Sequence, residues 1–137
     1  MSASPSLEWL ARLVLWLLAG YHLAVGAAAL LTPALAVRLV RSLYGAALPE
    51  GGAYRYMTSM IGALAVTLGG LAAVAALAPA ENRAIVAALV VLQLARIFCR
   101  LRDRRLLAAS LGVTARRNAA AVLVLGAECV VLGLWLR

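Results

Sequence analysis

The stretch MTSMIGALAVTLGGLAAVAALA, residues 57–78, runs for 22 residues without a charged side chain and stops at Pro79. A bilayer core about 30 Å thick is crossed by about 20 apolar residues in helical form. Lipid offers no partner to backbone amides, so such a segment crosses as an α-helix that pairs them internally. This stretch decides the fold, because the rest of the chain repeats its pattern.

Upstream, Trp9 to Leu31 is uncharged from Leu13 onward and is closed by Pro33. A cleaved signal peptide is the competing reading. Its basic n-region is weak, since Glu8 precedes Arg12, and the apolar run exceeds the roughly 7–15 residues of a signal core. A retained helix is expected. Downstream, the connector Pro79-Ala80-Glu81-Asn82-Arg83 leads into Ala84 to Cys99, which carries Gln93 and Arg96, and Asn118 to Leu136 is interrupted by Glu128. A connector this short predicts an antiparallel hairpin.

Hydrophobic residues make up 66% of the 137, against about 45–50% in soluble domains. Spans at 9–31, 57–78, 84–99 and 118–136 leave no room for a separate soluble unit. The expected fold is all-α: one integral membrane four-helix bundle covering residues 1–137, with short interfacial helices in its long linkers. In the first linker, Arg38 and Arg41 share a helical face, and Gly45, Pro49, Gly51 and Gly52 break the helix before the next span. In the linker from Arg100 to Arg117, the apolar part from Leu106 to Val113 is too short to cross, so it too is read as interfacial.

The net charge of +8 comes from arginine alone. Arg38, Arg41, Arg55, Arg100, Arg102, Arg104, Arg105, Arg116 and Arg117 fall in the two long linkers, while Arg12, Arg83 and Arg137 fall on the opposite side. The positive-inside rule puts both long linkers in the cytoplasm and both termini outside, in a bacterial inner membrane. Membrane lipids, not nucleic acid, are the partners this pattern implies. Arg38, Arg41, Arg100, Arg104 and Arg105 are the candidate headgroup-binding residues.

Helices in lipid associate through close packing and interhelical hydrogen bonds. A small-residue stripe with Gly62, Gly69 and Gly70 marks the second span; Gly20 and Gly26 offer close approach on the first. Ala119, Gly126 and Gly133 share a face of the fourth. Polar residues fall near one depth: His22, Thr67, Gln93 and Glu128, with Arg96 about a turn closer to the cytoplasm. Ionisable residues at mid-bilayer usually face the interior and find partners, so His22, Gln93, Arg96 and Glu128 are the candidate cofactor-binding layer. Glu128 has two readings: a protonatable group in a cavity, or a carboxyl hydrogen-bonded to Gln93 or a carbonyl. Arg96 reaches either Glu128, across an axial offset of about 8 Å at about 1.5 Å per residue, or the headgroups. His22 is the single histidine, and a hydrogen-bonded core role outweighs haem ligation with Met57 or Met60. No metal-ligand spacing occurs. Cys99 and Cys129 differ in depth and read as buried thiols. Tyr44, Tyr54, Tyr56, Trp9 and Trp135 suit interfacial belts; Trp16 is read as a packing residue.

Leu31-Thr32-Pro33, Tyr54-Arg55-Tyr56-Met57, Ile61-Gly62-Ala63 with Leu68-Gly69-Gly70, and Gln93-Leu94-Ala95-Arg96 together resemble the DoxX-like superfamily of small four-helix bacterial membrane proteins. The resemblance runs from about Leu13 to Arg96 and is weak over the last span. It implies a four-helix bundle and, for characterised members, membership of quinone-linked oxidoreductase assemblies; quinone is the cofactor it suggests. No catalytic motif accompanies it. The expected function is a small accessory subunit or scaffold without catalysis of its own, joined to other membrane subunits or to copies of itself. The alternatives are a quinone-linked redox subunit with a mid-membrane proton or quinone site, and a small dimeric transporter.

Overall fold

The computed structural model describes residues 4–46 and 52–137, without the side chains of Pro33, Tyr44 and Ala53. The described elements are α1 (Pro5–Leu31), α2 (Pro33–Tyr44), α3 (Gly52–Leu77), α4 (Arg83–Arg102), α5 (Arg104–Leu111) and α6 (Ala115–Trp135). By length and composition, α1, α3, α4 and α6 can each cross a membrane, as in a multi-pass membrane protein.

Capping sets ends that hydropathy misplaces. α1 starts at Pro5, ahead of Trp9, because the Ser4 hydroxyl accepts from the Leu7 amide at 3.4 Å and proline suits the first turn. α6 starts at Ala115, where the Thr114 hydroxyl accepts from the Arg117 amide at 3.3 Å. α4 continues past Cys99 to Arg102, with Arg100 and Arg102 in a last turn whose dipole favours cations. α2 closes at Gly45, whose φ of +67° is the left-handed conformation that favours glycine. Pro49 and Gly51, read as breakers, lie outside the described residues, and Gly52 begins α3.

α1 lies antiparallel against α3, α4 packs along α6, and contacts of α1 with α6 and of α3 with α4 complete the set. The α1–α3 crossing is backbone against backbone. A β-carbon added at Gly26 would stand 2.7 Å from the Val66 amide nitrogen and 2.8 Å from the Gly62 carbonyl; one at Gly69 would stand 2.8 Å from the Leu23 nitrogen. Gly20, Gly70, Gly126 and Gly133 face open space. The glycines of the face expected on α6 therefore make no close crossing; hydrogen bonds of Gln93 with Glu128 and of Arg100 with Asn118 join α4 to α6.

The main apolar core lies where the chain termini and the α3–α4 turn meet, with Ala11, Leu15, Ala75, Ala76, Val86, Leu132 and Trp135 inaccessible or nearly so. Arg83 donates to the Leu136 carbonyl there and lies 5.2 Å from the centre of the Trp135 ring. Trp135 is thus a core residue, not part of a belt, whereas Trp16 is 46% exposed and not packed inside. Cys99 is exposed, contrary to expectation, and both cysteines are free.

At the opposite end, α2 folds back on α1, burying Ala36 against Ala28 and Ala29 and leaving Arg38 and Arg41 outside. α5 buries none of its residues. The arginines of the long linkers gather at this end, while Arg96 stands between the two ends.

Candidate functional site

α1 and α6 meet near Leu15 and Leu132 and diverge towards the arginine-rich end. α4 backs the gap. The resulting cavity of about 510 Å³ is lined by Leu17, Leu18 and Tyr21 of α1, Gln93, Arg96 and Arg100 of α4, and Arg117, Ala120, Ala121, Val124, Leu125 and Glu128 of α6, with Leu43 of α2 at its mouth. Helical spacing explains the lining. Gln93, Arg96 and Arg100 recur at three and four residues, as do Arg117, Ala121, Val124 and Glu128, so each set shares a face. Leu17 is 63% and Val124 59% exposed, so the cavity opens sideways between α1 and α6, in the direction lipid would occupy.

The expected polar layer comes together as a hydrogen-bonded chain. The His22 ring nitrogen Nδ1 stands 2.8 Å from the Leu18 carbonyl. A carbonyl only accepts, so this nitrogen carries a proton. Nε2, 3.5 Å from the Arg96 guanidinium, is then the acceptor, because a guanidinium only donates. Arg96 also donates to Gln93 Oε1 at 2.8 Å, and Gln93 Nε2 donates to the Glu128 carboxyl. Gln93 is 1% exposed and His22 7%, so the chain threads from α1 through α4 to α6. Arg96 and Glu128 lie beyond ion-pair distance; Gln93 bridges the axial offset between them. Among the described residues no buried side-chain nitrogen or oxygen lacks a partner.

Thr67 does not join this layer. It is exposed on α3 and donates to its own helix at the Ala63 carbonyl, 3.1 Å away. A hydroxyl satisfied four residues back needs no second helix. Both ring nitrogens of His22 are engaged, and Met57 and Met60 are exposed on α3. No three His, Cys, Asp or Glu side chains converge among the described residues.

The structure adds residues that sequence reading passed over. Asn118 accepts from Arg100 at 3.0 Å and donates to the Arg100 carbonyl at 3.2 Å, a reciprocal clamp between α4 and α6. Its signal was its place ten residues before Glu128, on the stripe that also carries Leu125. Arg117 lies against Gly45 and points a guanidinium nitrogen at the Arg41 carbonyl, 3.5 Å away, joining the end of α2 to the start of α6. Tyr21 meets the His22 ring edge-on, with centroids 5.0 Å apart. Of the five candidate headgroup arginines, Arg38, Arg41, Arg104 and Arg105 are exposed at the basic end, whereas Arg100 is half-buried in the cavity wall.

Comparison with known proteins gives no match to a family model, a curated protein or a solved structure.

Proposed function

We propose that this chain is a small, non-catalytic subunit of a membrane assembly, and that it holds an apolar or amphipathic molecule in the cavity between α1 and α6. The cavity carries this reading. Its volume falls within the range of about 300–1,000 Å³ usual for small-molecule sites, and its wall is mostly apolar with a few convergent polar groups. A pure scaffold has no need of a sideways opening over a half-buried carboxyl.

In this reading the four long helices form a transmembrane bundle, with α2 and α5 lying at the cytoplasmic interface of a bacterial inner membrane. The sorted arginines support that orientation. The exposed apolar faces of α3 and α6 then meet lipid or neighbouring subunits. The resemblance of the Gly62–Gly70 and Gln93–Arg96 segments to the DoxX-like superfamily supports membership of a larger assembly.

One observation favours a quinone-linked redox subunit as the second reading. Glu128, Gln93 and Arg96 bring a carboxyl, an amide and a guanidinium to the cavity wall, a set suited to hydrogen-bonding an apolar ring with carbonyl oxygens. The dimeric transporter has no comparable support.

Extraction in a mild detergent followed by identification of bound small molecules and partner chains tests both readings. A small molecule retained by the wild type and lost on Val124→Trp, which fills the opening, is the expected result. Quinone absorbance in that fraction would select the second reading. A ligand-free, partner-free monomer would sink both.

A further inference from the structure

We infer that the occupant of the cavity is an uncharged long-chain molecule with a hydroxyl head. Its hydroxyl donates to Glu128 at the closed end, and its chain lies between α1 and α6. The inference rests on the cavity being a binding site and adds the ligand's chemistry.

Bonding capacity is the first argument. A carboxylate has two acceptor oxygens. Gln93 donates to Oε2 of Glu128, and Oε1 accepts no hydrogen bond among the described residues. No buried side-chain oxygen there lacks a partner, so Oε1 is not sealed in the packing and is reached from the cavity that Glu128 lines. Arg96, on the same wall, commits Nη1 to Gln93 and His22, while its Nε and Nη2 make no hydrogen bond among the described residues. A hydroxyl donates once and has two lone pairs. It can therefore serve the carboxyl and still accept from a guanidinium. An ester, an ether or a ketone only accepts, and leaves Oε1 unmet.

Charge is the second. The Glu128 carboxylate and the Arg96 guanidinium offset each other through the single amide of Gln93. A carboxylate or phosphate head at this layer would sit beside Glu128, and an ammonium head beside Arg96. Either like-charge contact is costly in a medium of low dielectric. A neutral head avoids both.

Place is the third. The two helices meet near Leu132, one turn beyond Glu128, so the polar layer stands at the closed end. From Glu128 back to Ala121, α6 runs seven residues, about 10 Å at about 1.5 Å per residue. Val124 and Leu125 lie along this run, with Leu17 and Leu18 of α1 on the same cavity. These apolar residues suit a chain, and the opening between the exposed Leu17 and Val124 lets a longer one continue into lipid. Arg100 and Arg117 stand farther towards the basic end, where they bond Asn118 and the Arg41 carbonyl.

The test is native mass spectrometry of the full chain released from an amine-oxide detergent, which carries no hydroxyl. The protein is titrated separately with oleyl alcohol, its methyl ether and oleate. The ether keeps the chain and the acceptor oxygen and lacks only the donor. The wild type is expected to bind one alcohol per chain, at least about tenfold more tightly than the ether and more tightly than oleate. In Glu128→Gln the new carbonyl takes the Gln93 donor and an NH2 group faces the cavity, so the preference for alcohol over ether is expected to vanish. The wild-type ratio decides even should that variant fail to fold. Equal binding of alcohol and ether, tighter binding of oleate, or a preference that survives Glu128→Gln overturns the neutral hydroxyl head. The cavity itself still stands as a site if Val124→Trp weakens the ligands that bind. Insensitivity of every ligand to Val124→Trp overturns the cavity reading as well.

Discussion

Gly26→Ala exchanges one hydrogen for a methyl group, yet it is expected to destabilise the α1–α3 pair. The new carbon would lie 2.7 Å from the Val66 nitrogen and 2.8 Å from the Gly62 oxygen, and both neighbours are backbone. Neither atom can rotate away. Ordinary contact begins near 3.4 Å, so the helices must part by about 0.7 Å at the crossing. A radial gap of about 0.5–1 Å forfeits about a quarter to a half of each dispersion well along the seam. Lipid tails solvate apolar side chains as well as a neighbouring helix does, so no hydrophobic term restores the loss.

Overpacking of this kind costs about 1–3 kcal/mol, while replacing glycine by alanine inside a helix returns up to about 1 kcal/mol. The expected net effect is a loss of up to about 2 kcal/mol. Gly126→Ala provides the internal control, since its β-carbon meets nothing within 4 Å. It carries the propensity gain alone, about 0.5–1 kcal/mol. Equilibrium unfolding in mixed micelles, read by circular dichroism, compares the two variants under one condition. Gly26→Ala as stable as Gly126→Ala would refute the backbone crossing.

Three further outcomes follow from named contacts. Gln93→Leu leaves Arg96 without its amide acceptor and Glu128 without its donor, and is expected to cost about 2–3 kcal/mol in the same unfolding assay; an unchanged midpoint would mean that water replaces both bonds. Asn118→Ala removes both halves of the clamp on Arg100 and should cost about 1–3 kcal/mol, with faster hydrogen exchange at the basic ends of α4 and α6 as the spatial check. Asp103, in the turn after α4, accepts two bonds from the Arg102 guanidinium at 2.9 and 2.8 Å, which hold its carboxyl below the usual carboxylate range. The pair is therefore present at neutral pH and is lost as pH falls through that lowered midpoint, so a carbon-detected titration in detergent should find Asp103 titrating below an ordinary aspartate and moving up in Arg102→Gln.

How far the sequence foretold this arrangement depended on which physics each residue obeys. The spans were legible because crossing a bilayer requires long apolar runs, whatever the partners. Their ends were less so, since Ser4, Pro5 and Thr114 act by capping, which hydropathy does not register. Glycines were legible at Gly62, Gly69 and Gly26, where two small faces meet, but not at Gly70 or Gly20, which face open space. Gly126 and Gly133 share a face equally well, but a face is a crossing only when another backbone arrives, and that is decided by the whole packing.

The polar residues divide in the same way. His22 and Arg96 each make one bond within their own helix, to the Leu18 carbonyl and to Gln93, but their chain closes only across helices, His22 against Arg96 and Gln93 against Glu128. Depth along the helices was then enough to group them. Thr67 stands at similar depth but satisfies itself within α3, and drops out. The offset that made an Arg96–Glu128 ion pair strained is resolved by Gln93, whose amide accepts from one and donates to the other.

That solution bears on function. A bridged pair keeps the cation and the carboxyl apart instead of neutralising them directly, so Arg96 retains charge that faces the cavity. Arg100, which clamps Asn118, and Arg117, which reaches the Arg41 carbonyl, line the same opening between α1 and α6. Tight packing is supplied elsewhere, at Gly26 against Gly62. The two contacts of α1 thus differ: against α3 it packs backbone to backbone, while against α6 it leaves a cavity open, the space in which the proposed ligand would sit.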